Sequence, residues 1–384
     1  MRQPIWTSLR RITSSGLYVP EIDGLRFIAI ASVLFYHLAM MSLMGCGLCF
    51  VVPPVTTGLA MVFHMDRGVP IFFAISGLVL GLPFAEQYIA GGRQVKLKRY
   101  FLRRITRLEP PYIINLLVRF PLVVAFKHVP AWIALPHLIA SLFYLHWLIY
   151  GGFPMIHQPS WSLEIEVQFY LVAPLLAALF FARKTWVRRL CLLVAIIGFG
   201  AVRAHVPYGN GTRLSLSLGC YAQYFLAGLL MADGFLTVLP RLKSSWLWDL
   251  GGIPLWCSLF LISDPAAGYC MPLLLFAAFT SAFKGRLLNR FFRNPFVTTV
   301  GGMCYSLYLT HSLVMEGCYR LFARIHPGAT YGYLYLAGVV IVLPLILALG
   351  TVFYVLIERP CMDRDWPKKL SRYVTGRFTV QTSS

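Results

Sequence analysis

Apolar residues fall in blocks of roughly twenty along this chain, with polar positions between the blocks rather than alternating inside them. A block of that length is what an α-helix needs to cross a hydrocarbon layer of about 30 Å, whereas alternation would signal barrel strands. The pattern predicts about ten helical spans, near 24–44, 68–88, 109–127, 165–182, 187–203, 217–236, 246–263, 269–283, 297–319 and 334–357. One further apolar segment, "AWIALPHLIASLFYLHWLIY" at 131–150, is long enough to cross but holds Pro136, His137, His146 and Trp147.

Basic residues decide how that segment is read. Lys and Arg gather in every second connection: Arg2 to Arg11, Arg93 to Arg107, Arg183 to Arg189, Arg241 and Lys243, Lys284 to Arg293, and Arg359 onward. The alternate connections carry few. Under the positive-inside rule this places both termini in the cytoplasm. A crossing at 131–150 would invert every later loop, so that segment is expected to be re-entrant or to lie on the outer surface. The expected fold is an all-α, polytopic transmembrane bundle of about ten spans. Residues 1–22 form a cytoplasmic segment, 23–360 the membrane domain and 361–384 a cytoplasmic tail.

Composition agrees. Hydrophobic residues make up 58% of the chain and charged residues 12%, too apolar for a soluble globule. The formal charge of +20 would suggest nucleic acid in a soluble protein, but no basic run is interleaved with aromatics on a soluble module. Here the charge is read as cytoplasmic loops beside anionic lipid, with no nucleic-acid partner. The N-terminal residues lack a signal peptide's apolar core and cleavage site, so the first span is expected to stay as a signal anchor. Most of the nine cysteines fall in apolar runs. Cys46 and Cys49 form a lone C-x-x-C, read as loop packing.

Several polar groups interrupt the apolar blocks. In "DGLRFIAIASVLFYH", Asp23 to His37, Arg26 and His37 stand eleven positions apart, about three turns and 16 Å along one face of a helix. Arg26 alone reads as an arginine snorkelling to the cytoplasmic boundary. His37 lies deeper, where an ionisable group faces a cavity or a partner, and an imidazole suits general base work near neutral pH. Ser76-Gly77 inside the second span allows close helix packing or approach of a ligand to backbone. "RRITRLEP" places Arg103, Arg104 and Arg107 in one basic run that Pro110 is expected to end, either an orienting loop or a phosphate clamp. "SWSLEIEVQFY" brings Trp161, Ser162, Glu164, Glu166 and Tyr170 to the outer entry of a span, where a carboxylate could orient or charge-stabilise an imidazolium. Tyr308 and His311 share a face three residues apart, and Glu358 in "IERPC" lies near arginines. No Walker loop, G-x-S-x-G elbow, H-x-x-x-x-D or zinc-ligand spacing is present, so no metal is expected.

Taken in order, "DGLRFIAIASVLFYH", "FFAISG", "RRITRLEP", "SWSLEIEVQFYLVAP", "YSLYLTH" and "ERP" resemble the integral-membrane acyltransferase-3 family, whose members O-acylate O-antigen, peptidoglycan, macrolides and Nod factors. The resemblance runs from Asp23 to Pro360. It implies a bacterial cytoplasmic-membrane enzyme that moves an acyl group, usually acetyl, from acyl-CoA to a hydroxyl of a glycan, glycolipid or glycosylated metabolite, with no bound cofactor. His37 then matches the catalytic histidine, Arg26 its paired arginine and Glu166 the glutamate of the family's W-S-L-x-x-E. Asp23, Ser76, Arg103, Arg104, Arg107, Trp161, Ser162, Tyr170, Tyr308 and His311 are the expected substrate and CoA contacts. Some members carry a hydrolase-like domain after the membrane part, so this chain is expected to act alone or with a separate extracytoplasmic partner. The alternative function is a carrier or flippase for an amphiphilic anion, which buried ionisable groups and basic loops would also serve.

Overall fold

Among the described residues of the computed structural model, which are 9–11, 18–47, 62, 64–206, 212–262, 266–363 and 366, every regular element is helical. In hydrocarbon a backbone must satisfy its own hydrogen bonds, and these apolar blocks do so locally. The helices are α1 (Pro20–Gly45), α2 (Gly68–Ile89), α3 (Leu97–Phe126), α4 (Ala131–Leu142), α5 (His146–Tyr150), α6 (Trp161–Leu176) and α7 (Thr185–His205). There follow α8 (Leu218–Thr237), α9 (Leu247–Ser258), α10 (Ala266–Lys284), α11 (Arg286–Phe292), α12 (Pro295–Gly302) and α13 (Cys304–Ile325). The last, α14 (Tyr331–Met362), is one 32-residue rod with π-helical stretches at 338–342 and 354–358.

By length and composition six of the described helices can cross a membrane, or seven if the pair α10–α11, bent by 90°, counts as one. Large apolar side chains such as Leu171, Leu175, Val340 and Leu356 project outward from them, as a lipid-facing surface requires. The sequence pattern and the helices differ in three places. The block at 246–263 yields only the 12-residue α9, about 18 Å long and too short to cross. The block at 297–319 is broken at Met303 into α12 and α13. The basic run before Pro110 is helical: α3 starts at Leu97 and continues through Pro110, Pro111 and Pro121. Pro110 cannot donate to the carbonyl of Thr106, and the indole of Trp366 donates to that oxygen instead, at 3.0 Å. Segment 131–150 forms two short helices, neither of which can span. Cys46 lies past the end of α1, while Cys49 falls outside the described residues.

The centre of the bundle is the crossing of α2 and α8, and α8 is buried at every position from Cys220 to Gly234. Two glycines set the distance. A Cβ on Gly77 would lie 2.1 Å from the Phe225 carbonyl oxygen, and one on Gly228 2.1 Å from that of Ala74. Ser76-Gly77 thus divides the two readings of its sequence: the glycine packs and the serine faces a cavity. Gly228→Ala is expected to destabilise the protein by at least the 1–3 kcal/mol typical of overpacking, because the colliding atoms are backbone. Thermal unfolding of purified protein measures this, and an unchanged midpoint would refute the packing argument.

Candidate active site

A cavity of about 120 Å³ opens where α1, α2, α3, α6 and α13 meet. Arg26 of α1, Arg104 and Arg107 of α3 and Arg11 from the segment before α1 line it, and the facing walls supply Ser76, Ser162, Glu166 and Tyr170. Cys304, Tyr305 and Tyr308 complete it from α13, with apolar side chains between. Four arginines therefore face one carboxylate, and the space is roughly that of four waters. Such a site suits an anionic ligand with a narrow end. Arg103, on the same turn as Arg104, is not among the lining residues.

Local packing holds these groups. The Arg26 guanidinium donates through Nη1 to Asp23 Oδ1 at 2.5 Å, and Arg11 reaches the same oxygen at 3.3 Å. Asp23 is buried, and Gly301 of α12 lies so close that a Cβ there would come within 1.8 Å of the Asp23 carbonyl oxygen. Ser76 Oγ donates to Glu166 Oε1 at 2.5 Å, which ties α2 to α6. Tyr305 donates to the Leu108 carbonyl at 2.9 Å. Glu358, fully buried, accepts from the amide (3.0 Å) and hydroxyl (2.5 Å) of Ser306 in the first turn of α13, where a helix favours negative charge. Among the described residues its hydrogen bonds go to Ser306, not to an arginine.

His37 does not line this cavity, although Val33, one turn earlier on α1, does. Its Nδ1 lies 2.8 Å from the Val33 carbonyl oxygen. A carbonyl only accepts, so Nδ1 carries the hydrogen and Nε2 keeps its lone pair. His311 of α13 has the same arrangement, with Nδ1 2.7 Å from the Tyr308 carbonyl oxygen. The two rings meet edge to face at 4.9 Å. Glu166, expected to orient an imidazolium, is hydrogen-bonded to Ser76, and among the described residues the ring that faces His37 from another helix is His311. Tyr308 separates the two groups: its hydroxyl donates to the Pro159 carbonyl, accepts from Ser162 Oγ at 2.9 Å, and lines the arginine cavity.

Two other residues of the W-S-L-x-x-E stretch do structural work. Trp161 packs against Tyr221, with ring centroids 5.7 Å apart, and does not line the cavity. Glu164 accepts from the Trp147 amide at 2.9 Å and so anchors α5 to α6. Nearby, His137 and His146 share a 2.8 Å hydrogen bond beneath Tyr150. Burial, and next the closeness of His137, holds His146 down to about 4, so it stays neutral near neutral pH. Three residues at the centre lie outside the motifs read from the sequence. Arg11 is one of the orienting charges before α1, and His157 lies in a loop beside the W-S-L-x-x-E stretch. Arg119 stands inside a predicted span, a signal that could have found it. It is buried on α3, donating to Asn115 Oδ1 at 3.0 Å, the Leu309 carbonyl at 3.1 Å and Ser312 Oγ at 2.8 Å. Among the described residues, no group of three or more His, Cys, Asp or Glu is placed to hold a metal.

Comparison with known proteins gives a family match. A family model described as an acyltransferase domain matches residues 19–355. A provisionally named O-acetyltransferase of Staphylococcus aureus (strain COL) is 27% identical over 338 residues, covering 78% of this chain and 51% of its own length. The peptidoglycan O-acetyltransferase OatA of Listeria monocytogenes is 27% identical over 331 residues, covering 77% and 49% respectively. The O-acetyltransferase OatA of Staphylococcus aureus (strain NCTC 8325 / PS 47) is 29% identical over 229 residues, covering 54% and 34%. The chain spans about half the length of the curated relatives it matches first. No solved structure matches it.

Proposed function

The chain belongs to the acyltransferase family whose domain matches residues 19–355, and from that membership we propose that it moves an acyl group, acetyl by preference, from acyl-CoA to a hydroxyl of a sugar-containing envelope acceptor. The observation that carries this reading is the arrangement on α1: Arg26 in an arginine-lined cavity, and His37 about three turns further on with its Nε2 lone pair uncommitted. We place the basic cavity mouth and both termini on the cytoplasmic side of the bacterial inner membrane. The carrier reading needs no nucleophile activation, so the tautomer of His37 and the family favour transfer.

In this mechanism the CoA phosphates dock on the arginine cluster, where guanidinium forks bind phosphate through charge-assisted hydrogen bonds. The pantetheine arm enters the narrow cavity beside Ser76 and Glu166 and carries the thioester past Val33 and Tyr308 to His37. The acceptor comes from the opposite side, past the segment 131–165, and glycan chemistry of the kind named for the Listeria relative is the expected class. Nε2 of His37 takes the proton of the acceptor hydroxyl as its oxygen attacks the thioester carbonyl. A C–O bond forms, the C–S bond breaks, and the imidazolium returns the proton to the CoA thiolate. A separate extracytoplasmic partner could receive the acyl group in place of the final glycan.

The test is turnover of labelled acetyl-CoA by the protein in membranes that carry their own glycans, with mass analysis of those glycans with and without the protein. Unchanged glycans and no labelled product would overturn the proposal. Arg104→Ala with Arg107→Ala is expected to raise the KM for acetyl-CoA by about 10–100-fold, the loss of one or two charge-assisted hydrogen bonds. An unchanged KM would move the phosphate site elsewhere.

A further inference from the structure

Around Tyr308, three buried imidazole nitrogens have no hydrogen-bond partner among the described residues: both nitrogens of His157 and Nε2 of His311. Each ring is 0% exposed. Buried polar atoms are nearly always bonded, so an unsatisfied group at this depth calls for an occupant. The position of His157 is fixed by its backbone, whose carbonyl accepts from the amide (3.0 Å) and hydroxyl (2.7 Å) of Ser160. Its ring stands edge-on to Tyr308 at 5.9 Å, and the charges that reach it are those of Arg119, His311 and His37. Nε and Nη2 of Arg119 are already bonded to Asn115, the Leu309 carbonyl and Ser312.

We propose that His157 and His311 frame the acceptor subsite beside His37 and bind two neighbouring hydroxyls of a carbohydrate. This rests on the acyl-transfer reading and names its acceptor chemistry. A neutral His157 offers one N–H and one lone pair, and His311 offers one lone pair because its N–H is bonded to the Tyr308 carbonyl. Hydroxyls both donate and accept, so a vicinal pair satisfies all three atoms. A carboxylate or phosphate only accepts and would face two lone pairs. The subsite lies across Tyr308 from the arginine cavity, so donor and acceptor meet at His37 from opposite sides. His157 binds the acceptor and takes no part in the proton transfer.

The experiment compares His157→Asn with His157→Phe in native membranes given labelled acetyl-CoA. It reads label on glycan, and separately the binding of acetyl-CoA. Asparagine keeps a donor and an acceptor, whereas phenylalanine keeps the ring volume. Glycan labelling is expected to fall at least tenfold in His157→Phe and by clearly less in His157→Asn, with acetyl-CoA binding unchanged in both. Labelling by His157→Phe equal to or above that of His157→Asn would make the residue a packing element and overturn the proposal, as would loss of acetyl-CoA binding in either variant. His37→Ala in the same assay keeps the readings apart: if it labels glycan at the wild-type level, the acyl-transfer reading fails whatever His157 does.

Discussion

His37→Ala lowers acyl transfer by about 10²–10⁴-fold, the usual contribution of a positioned base, while leaving acetyl-CoA bound. The two halves of that expectation come from different parts of α1. Donor affinity is assigned to the arginines of the cavity, of which Arg26 lies about 16 Å from His37 along the helix axis, and His37 is not itself a lining residue. Proton transfer depends on one lone pair, and the bond from Nδ1 to the Val33 carbonyl keeps that lone pair on Nε2. Asparagine and glutamine have the wrong reach and basicity to replace it, so they should fail as fully as alanine. The same membranes also distinguish a base from an acyl carrier. A histidine carrier forms a labelled acyl-imidazole when donor is supplied without acceptor, and hydroxylamine releases it, whereas a pure base leaves the protein unlabelled. Transfer by His37→Ala within tenfold of wild type would remove His37 from the chemistry.

Residues whose partners are near in sequence were legible before the fold was known. Arg26 and His37 lie on one helix, so helical periodicity alone gave their spacing. Segment 131–150 was readable because charge parity counts loops and needs no contacts. What failed was any inference that depended on which helix faces which. Glu166 was expected beside an imidazole, yet its partner is Ser76, ninety positions earlier, because the α2–α8 glycine crossing draws α2 in beside α6. His157, His311 and Arg119 come from a loop and two helices and meet only in three dimensions. Span counting failed where composition and length disagree: α9 is apolar but too short to cross, and the α12–α13 block is long enough but broken. Proline misled in the basic run, because a helix tolerates Pro110 once another donor takes up the Thr106 carbonyl.

Asp23→Asn is expected to be among the most destabilising isosteric changes in the molecule, at about 3–5 kcal/mol, since it removes the shared partner of two buried guanidinium groups. Asp23 accepts from Arg26 at 2.5 Å and from Arg11 at 3.3 Å, its side chain 3% exposed and theirs 12%. Arg104 and Arg107 line the same cavity, so without the carboxylate four positive charges share one site of low dielectric with less compensation. Asparagine keeps the shape and one accepting oxygen, so the loss is mainly one of charge. Arg26 should leave its position on the cavity wall, and donor affinity should fall together with thermal stability. The cause is separable from a general packing defect. Arg11→Ala added to Asp23→Asn relieves one of the uncompensated charges, and the double variant should recover part of the lost stability, a coupling of about 0.5–3 kcal/mol. Thermal unfolding of the four proteins in one detergent measures it. Strictly additive losses would mean that the Asp23 side chain does not hold Arg11.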